Sequence, residues 1–165
     1  MAKRSDAAAG TPATLALTRA GVAFHAHAYE HDPRAAAYGL EAAEKLGLDP
    51  ERVFKTLLAS VDGSLAVAIV PVAMLLDLKS LAQALGGKRA EMADPAVAER
   101  KTGYVVGGIS PIGQKTPLPT VLDESAILHE AVYVSGGRRG LDLELAPDDL
   151  LAVTGGRYAP IARTR

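Results

Sequence analysis

Alternating and continuous apolar runs predict β-strands along much of the chain. The runs 53–61 and 65–70 flank the turn dipeptide Asp62-Gly63 and together predict a β-hairpin. Residues 24–31 alternate between apolar and polar side chains, a pattern typical of a strand with one polar face. Shorter apolar runs predict further strands at 104–106, 120–122, 131–135 and 141–145, with an edge strand at 158–162.

Helices are predicted where a capping residue precedes a periodic apolar segment. Thr11 is an N-cap followed by proline at the first helical position, and the helix it opens ends near Gly21. A short helix at 40–46 is ended by Gly47. Capping aspartates open the other helices, which run from Asp77 to Gly86, from Asp94 to about Arg100, and onward from Asp148.

This order of elements favours an α+β fold over strict βαβ alternation. Strands that follow one another through tight turns predict a mixed, mainly antiparallel sheet, curled or barrel-like, with inserted and flanking helices. The chain has 165 residues, enough for one domain with its own core. We assign that domain to residues 11–165 and expect the Ala-rich segment 1–10 to be a disordered tail.

Composition narrows the chemistry further. The apolar fraction of 48% and the charged fraction of 22% are typical of soluble globular proteins. The absence of cysteine excludes disulfides, thiolate metal sites and a cysteine nucleophile, and it fits a reducing cytoplasm. Residues 1–10 lack the apolar core of a signal peptide, and the longest apolar run, 65–76, is too short to span a bilayer. The net charge of −1 means that any polyanion must be held by local basic clusters or by a helper protein.

One lysine interrupts an apolar strand. In the predicted strand Lys55 shares a face with Val53, Leu57 and Val61. An ammonium group among apolar neighbours is costly to desolvate unless an anion or carbonyl group meets it, and a bound substrate could provide that group. The alternative is a lysine whose stem lies along the core while its head reaches water.

Two glycine-rich segments could approach a ligand with their main chains. The run 104–111 contains Gly107-Gly108, a pair that could present N–H donors to a developing negative charge. A second segment, Ser135-Gly136-Gly137, is followed shortly by Asp142. We expect these segments to form one pocket with Lys55, although ordinary turns are the alternative for both.

Other polar clusters have weaker signals. His25, His27 and His31, with Glu30 and Asp32, could bind a metal ion, but solvated strand histidines explain the pattern as well. Four basic residues could bind phosphates, namely Lys88, Arg89, Arg138 and Arg139. Solvated surface charge is the commoner explanation for such residues.

The ordered series of motifs resembles the YbaK/EbsC family, and within it the bacterial Cys-tRNA(Pro) deacylases. The resemblance runs from about Pro12 to Arg163. The motifs that carry it are YEHD at 29–32, VFKTL at 53–57, MADP at 92–95, TGYVVGGISP at 102–111, GQK at 113–115, YVSGG at 133–137 and RGLD at 139–142.

The resemblance implies a trans-acting editing enzyme that hydrolyses the aminoacyl ester of mischarged Cys-tRNA(Pro). Cysteine is close to proline in size, so a synthetase pocket cannot reject it strongly and a second hydrolytic site is the usual remedy. The implied partners are mischarged tRNA(Pro) and prolyl-tRNA synthetase, with no membrane. The resemblance implies neither a cofactor nor a metal ion.

The resemblance also assigns the site residues. Lys55 matches the family's essential lysine, which contacts the aminoacyl-adenosine end. The positions that match the rest of the pocket are Tyr29, Tyr38, Thr56, Gly107, Gly108, Ser135 and Asp142. Tyr38 departs from the family, which often has phenylalanine there. We expect the amides of Gly107 and Gly108 to face the oxyanion.

The family's proposed mechanism uses the substrate as its own nucleophile. The cysteine thiol attacks its own ester carbonyl, and holding it in attack geometry can be worth about 7–11 kcal/mol. Three alternatives stay open: an Ala-tRNA(Pro) deacylase in which water attacks, a non-catalytic RNA- or synthetase-binding module, and a histidine-based metal hydrolase.

Overall fold

Helices and strands follow one another irregularly along the chain. The structure is a computed structural model that describes residues 10–35 and 37–165, so the tail predicted at 1–10 lies outside the described residues except for Gly10. The helices are α1 (Pro12–Ala20), α2 (Tyr38–Leu46), α3 (Leu78–Ala84), α4 (Pro95–Thr102) and α5 (Pro147–Thr154). Short 3-10 turns lie at Pro50–Arg52 and Glu124–Leu128.

Across residues 10–35 and 37–165 the strands form three sheets. They are β1 (His25–Ala28), β2 (Phe54–Val61), β3 (Ser64–Pro71), β4 (Leu75–Leu76), β5 (Ala90–Met92), β6 (Thr120–Asp123), β7 (Val132–Ser135), β8 (Leu141–Leu145), β9 (Arg157–Ala159) and β10 (Ala162–Arg163). The strand orders are β5-β2-β3-β6-β9, β1-β8-β7 and β10-β4.

The predicted hairpin is confirmed as the centre of the largest sheet. Strands β2 and β3 pair antiparallel from Phe54 opposite Pro71 to Val61 opposite Ser64. Asp62 and Gly63 both have positive φ, at 49° and 87°, which is what a two-residue turn matched to the strand twist requires. The hairpin therefore fixes the register of the strand that contains Lys55.

The strand pairing is both parallel and antiparallel, which confirms the predicted mixed α+β fold class. Strand β6 runs parallel to both β3 and β9, whereas the pairs β2-β5, β1-β8 and β7-β8 are antiparallel. A bridge between Val53 and Tyr133 joins the largest sheet to the three-stranded sheet.

Strand β3 is covered on both faces, and its side chains divide the core. Val67 and Ile69 pack into one cluster with Leu17 of α1 and Leu143 of β8. Ala66, Ala68 and Val70, which alternate with them, pack into a second cluster with Leu81 of α3 and Ile161. The period of two along the strand therefore builds both cores.

The strand predicted at 104–106 is wrong, because this segment is a loop. The Tyr104 hydroxyl donates to the Ile112 carbonyl at 2.6 Å, and the Val106 N–H donates to Glu99 Oε2 at 2.8 Å. The Gly108 N–H donates to the Val105 carbonyl at 2.8 Å. Local and side-chain bonds thus replace the ladder that a strand would need. We call residues 104–111 the glycine loop.

Two other predicted strands differ in their bounds. Strand β1 is shorter than 24–31, since Tyr29 donates its N–H to the Gly140 carbonyl and the chain then turns away. The predicted edge strand 158–162 is divided at Pro160 into β9 and β10. Proline has no N–H to donate, and the next N–H, that of Ile161, bonds to the Asp123 carboxylate. Within the described residues no helix is long and apolar enough to cross a bilayer.

Candidate active site

A cavity of about 350 Å³ opens where β2, the start of α2, the glycine loop and the β7-β8 hairpin meet. All but one of the predicted site residues line it. These are Tyr29, Tyr38, Lys55, Thr56, Gly107, Ser135 and Asp142. The apolar part of the lining includes Phe54, Leu58, Val72, Ala98 and Ile109.

Strand β2 brings Lys55 into the cavity wall. Burial lowers the pKa of the Lys55 ammonium below its ordinary value, and the positive charge of Arg165 lowers it further. In the described part of the chain, no carboxylate lies within ion-pairing distance of Lys55. A partly desolvated cation without an anionic partner is well suited to bind one from a ligand.

The next residue, Thr56, contributes an unsatisfied hydroxyl. Thr56 Oγ1 is buried and has no hydrogen-bond partner among the described residues, although Thr56 lines the cavity. A buried hydroxyl without a partner costs about 1–3 kcal/mol, so such groups in native folds usually meet a ligand or an ordered water. Thr56 and Lys55 are therefore two adjacent groups whose polar atoms lack protein partners.

Strands β7 and β8 carry Ser135 and Asp142 as directly paired residues. Asp142 is 5% exposed, and burial raises the pKa of its carboxyl from 3.8 to about 7. It is an acidic side chain in a lining that otherwise contains the cations Lys55, Arg138 and Arg165. At neutral pH this carboxyl can therefore both accept and give a proton.

Two tyrosines form another side of the cavity. Burial, followed by the nearby Asp142 charge, raises the pKa of Tyr29 to about 12, so this phenol stays protonated. Tyr38 begins α2, and its ring lies under the Arg139 guanidinium at 4.8 Å. The loop before α2 is held by Glu41, which accepts from the Asp32 N–H and bonds His31 Nδ1, each at 2.8 Å.

The start of α2 adds a favourable field for anions. Ala37, the N-cap, offers no side-chain acceptor to the first-turn amides, and Ala37, Tyr38 and Gly39 line the cavity. The N-terminal end of a helix carries a partial positive charge. With Lys55 and Arg138 this makes the cavity attractive to anions although the whole chain has a net charge of −1.

Gly107 and Gly108 occupy different environments. Gly107 lines the cavity with φ at +91°, and its N–H has no acceptor among the described residues. Gly108 does not line the cavity, and its N–H is used within the loop by the Val105 carbonyl. A Cβ on Gly108 would lie 2.7 Å from Arg138 Cα, so this glycine permits close backbone packing. The expectation that the Gly108 amide faces the oxyanion is therefore corrected.

The model of the family described as "Aminoacyl-tRNA editing domain" matches residues 32–153. This segment includes most of the cavity lining. The chain belongs to the aminoacyl-tRNA editing domain family. The resemblance found in the sequence motifs is thereby confirmed, as is the predicted enzyme class, an aminoacyl-tRNA deacylase.

Individual relatives of this editing domain agree with that assignment. A protein of Enterococcus faecalis that carries the name of a Cys-tRNA(Pro)/Cys-tRNA(Cys) deacylase, EbsC, is 45% identical over 120 residues, which are 72% of this chain and 73% of that protein. A proline–tRNA ligase of Maridesulfovibrio salexigens is 31% identical over 100 residues, which are 61% of this chain and 17% of the ligase.

A solved structure extends the similarity over nearly the whole chain. A crystal structure titled as a trans-editing enzyme for prolyl-tRNA synthetase superposes with a TM-score of 0.80 at 26% identity. The match covers 98% of this chain and 99% of that structure. The editing-domain fold therefore includes α1 and β10, which lie outside the segment that the family model matches.

Two cations of the editing-domain cavity were not predicted as site residues from the sequence. Arg138 was considered for phosphate binding but not placed in the pocket, and Arg165 was not singled out. Arg165 reaches the cavity because β10 pairs with β4, a contact between two-residue strands. So short a pairing has no recognisable pattern in the sequence.

Two of the histidines considered as metal ligands, His27 and His31, are each bonded to a different glutamate. His27 bonds Glu144 at 2.9 Å and His31 bonds Glu41 at 2.8 Å. Among residues 10–35 and 37–165 no group of three or more potential ligands is arranged to hold a metal ion. The histidines lie outside the cavity lining, although the Glu41–His31 pair supports the loop that leads to Tyr38.

Proposed function

We propose that this protein hydrolyses the aminoacyl ester of mischarged Cys-tRNA(Pro) in trans, using the thiol of the bound cysteine as the nucleophile. The names of the Enterococcus relative and of the superposed crystal structure support both the reaction and its connection to prolyl-tRNA synthetase. The chain itself contains no cysteine that could act as a nucleophile.

One observation carries the proposal most directly. Lys55 and Thr56 both line an anion-attracting cavity, and in the described chain the Lys55 ammonium has no anionic partner and the buried Thr56 hydroxyl has no hydrogen-bond partner. A ligand with a phosphate or an ester carbonyl would satisfy both groups. Lys55 then contacts the terminal nucleotide or the ester carbonyl, and Thr56 bonds the same end of the substrate.

The remaining groups suit the aminoacyl end. Asp142 offers a buried carboxyl to the α-amino group of the cysteine, while Ser135 opposite it adds a hydroxyl. Tyr29 and Tyr38 enclose the aminoacyl group, since both line the same cavity. Gly107 lines the cavity and its N–H has no acceptor within the described part of the chain, so this N–H serves the oxyanion.

The chemical step balances without a protein nucleophile. The thiolate of the cysteine attacks its own carbonyl carbon, so a sulfur–carbon bond forms while the carbon–oxygen bond to the terminal ribose breaks. The ribose oxygen takes up a proton and the tRNA leaves with a free hydroxyl. The other product is a four-membered cyclic thioester of cysteine, which water then opens. A thiol has a pKa near 8.5, so a useful fraction is thiolate near neutral pH.

The cavity is much smaller than a tRNA, which bears on how the substrate is held. About 350 Å³ accommodates an aminoacyl group and part of the terminal nucleotide, but not an RNA stem. With a net charge of −1 the chain has little general attraction for RNA. We therefore propose that prolyl-tRNA synthetase supplies much of the contact with tRNA(Pro). The cytoplasmic location remains a prediction.

A deacylation assay tests the proposal. Wild-type protein and Lys55→Ala are incubated with Cys-tRNA(Pro) and with Ala-tRNA(Pro), each with and without a chelator. We expect loss of the cysteinyl ester alone, insensitive to chelator and abolished by the substitution.

Each other outcome would assign a different function. Turnover of Ala-tRNA(Pro) alone would indicate attack by water. RNA binding without turnover of either substrate would indicate a binding module, and inhibition by the chelator would indicate a metal hydrolase.

A further inference from the structure

Arg139 joins three segments at the edge of the cavity. Its Nη2 and Nε atoms donate to the Val106 carbonyl at 2.6 and 3.2 Å, and its guanidinium carbon lies 4.8 Å from the centre of the Tyr38 ring. The β7-β8 turn, the glycine loop and the start of α2 therefore meet at one side chain. Arg139 itself does not line the cavity.

The glycine loop is fixed on both sides of Val106. The Val106 N–H donates to Glu99 Oε2 at 2.8 Å, while the Val106 carbonyl is held by Arg139. One residue further on, the Gly108 N–H donates to the Val105 carbonyl. Between these bonds the Gly107 N–H has no acceptor among residues 10–35 and 37–165.

The Val106 carbonyl and the Gly107 N–H belong to the same planar peptide unit. In a trans peptide the two groups point in opposite directions, and the structure contains no cis peptide among the described residues. A guanidinium that holds the carbonyl therefore directs the N–H away from Arg139. A hydrogen bond to the carbonyl also polarises the N–H of the same unit.

Space is restricted at this point as well. A Cβ on Gly107 would lie 2.6 Å from Arg139 Nε and 3.0 Å from the Tyr38 ring. Gly107 thus packs against both the guanidinium and the ring, which leave no room for a side chain at this position.

We infer that Arg139 is a positioning residue that orients the Gly107 N–H as the oxyanion donor of the reaction. This inference rests on the proposed deacylase function. The donor is a backbone group, and Arg139 acts on it from outside the cavity through the Val106 carbonyl. An exposed arginine in an aminoacyl-tRNA editing protein would otherwise be expected to bind a phosphate of the tRNA. A phosphate-binding residue affects mainly KM, whereas a residue that positions the oxyanion donor affects mainly kcat.

The test compares Arg139→Ala and Arg139→Lys with wild type for Cys-tRNA(Pro) deacylation at several salt concentrations. We expect kcat to fall about 10–100-fold in Arg139→Ala with KM changed less than about 3-fold, because the Gly107 N–H loses its alignment and its hydrogen bond to the oxyanion is made only in the transition state. Arg139→Lys keeps the charge but loses the two-pronged geometry, so a reduced kcat is expected there too. A raised KM with unchanged kcat and a weaker salt dependence would instead show phosphate binding and overturn the inference.

Arg157→Ala is the matched control, because Arg157 is also exposed and also donates to a backbone carbonyl, that of Ala84 at 3.3 Å. Its kcat and KM should equal those of wild type. A thermal unfolding curve for each variant tests whether the loss of kcat reflects unfolding.

A second readout needs no turnover. The amide NMR signal of Gly107 should shift in Arg139→Ala, whereas Arg157→Ala leaves it unchanged. If wild type fails to turn over Cys-tRNA(Pro), the proposed function is wrong, yet the Gly107 signal still decides whether Arg139 positions this peptide. An unchanged Gly107 signal in Arg139→Ala overturns the inference.

Discussion

The cavity has two walls that are built on different physical principles. The sheet wall consists of Lys55 and Thr56 on β2 with Ser135 and Asp142 on β7 and β8, and its geometry is set by strand register. The loop wall is the glycine loop, of which Val106, Gly107 and Ile109 line the cavity, and it has no ladder hydrogen bonds. Side-chain hydrogen bonds hold it instead, from Glu99 of α4, from Arg139 of the β7-β8 turn and from Tyr104 at the start of the loop itself.

The difference corresponds to a division of roles. In the proposed function the sheet wall supplies the charged and hydroxyl-bearing side chains that bind substrate, and the repeated backbone bonds of the ladder fix their positions. The loop wall exposes a backbone N–H, which a strand would have used in its own ladder. A backbone donor of this kind requires irregular structure, so its position depends on a few individual bonds.

The largest effect on activity is expected from removing the charge of Lys55, the cation of the sheet wall. Lys55→Met keeps the length of the apolar stem but removes the charge that faces the substrate. Deacylation of Cys-tRNA(Pro) should fall about 10²–10³-fold, the usual loss when one electrostatic stabiliser is removed. The measurement is single-turnover deacylation. Lys79→Met, an exposed substitution on α3, is the control and should retain full activity.

Asp142, the acidic residue of the sheet wall, should make the free energy of unfolding depend on pH. The folded-state pKa of Asp142 is raised by burial to about 7 from 3.8, so its protonated form favours folding. This contribution is fully present below pH 3.8 and is lost as the pH rises through 7, at up to about 1.4 kcal/mol per pH unit. Asp142→Asn should therefore gain free energy of unfolding relative to wild type between about pH 4 and pH 7.

Urea unfolding of both proteins across this pH range measures the difference. Glu41 and Glu144, whose pKa values are lowered, are present in both proteins and cancel in the comparison. A constant difference between the two proteins at every pH would mean that Asp142 is ionised without penalty in the fold.

The loop wall should be sensitive to a single added methyl group. In Gly108→Ala the new Cβ would meet the Arg138 and Arg139 backbones at 2.7–2.9 Å, and backbone cannot move aside as a side chain can. We expect a loss of about 1–3 kcal/mol in the free energy of unfolding. Val105→Ala, in the same loop at a position that is 64% exposed, should change it by less than about 0.5 kcal/mol. Equal effects of the two changes would contradict tight loop packing.

A smaller effect is expected when one bond of the loop wall is removed. Tyr104→Phe deletes the hydroxyl that donates to the Ile112 carbonyl at 2.6 Å in a buried setting. The free energy of unfolding should fall by about 1–2 kcal/mol, because the carbonyl is left without its donor. Tyr158→Phe is the matched control, since its hydroxyl bonds Asp148 at an exposed position, and thermal or urea unfolding compares the two. A larger loss for Tyr158→Phe would contradict this account of the loop.

The two walls also differ in how far the sequence predicts them. The β2-β3 hairpin, its Asp62-Gly63 turn and the strands of Ser135 and Asp142 follow from local patterns, and each was predicted. The loop wall was predicted as a strand at 104–106, because Tyr-Val-Val has the composition of one. Its actual conformation depends on Glu99 and Arg139. Arg139 is distant in sequence from the loop, and no local pattern indicates that Glu99 bonds the loop backbone.

Neighbouring residues show the same limit within the site. Gly107 and Gly108 look equivalent in sequence, yet one lines the cavity and the other packs against backbone. Arg165 reaches the cavity through a tertiary strand pairing. Sequence patterns therefore identify which side chains form the sheet wall, whereas the orientation of single peptide groups in the loop wall depends on tertiary contacts.

The central claim is that the cavity orients a mischarged ester and that the sulfur of the bound cysteine performs the attack. Single-turnover deacylation of S-methylcysteinyl-tRNA(Pro), compared with Cys-tRNA(Pro), tests it most directly, because methylation removes the nucleophile while nearly preserving size. The account predicts rapid release of cysteine and no release of S-methylcysteine above the uncatalysed rate. Equal rates for the two substrates would show that water or a protein group attacks, and would contradict it.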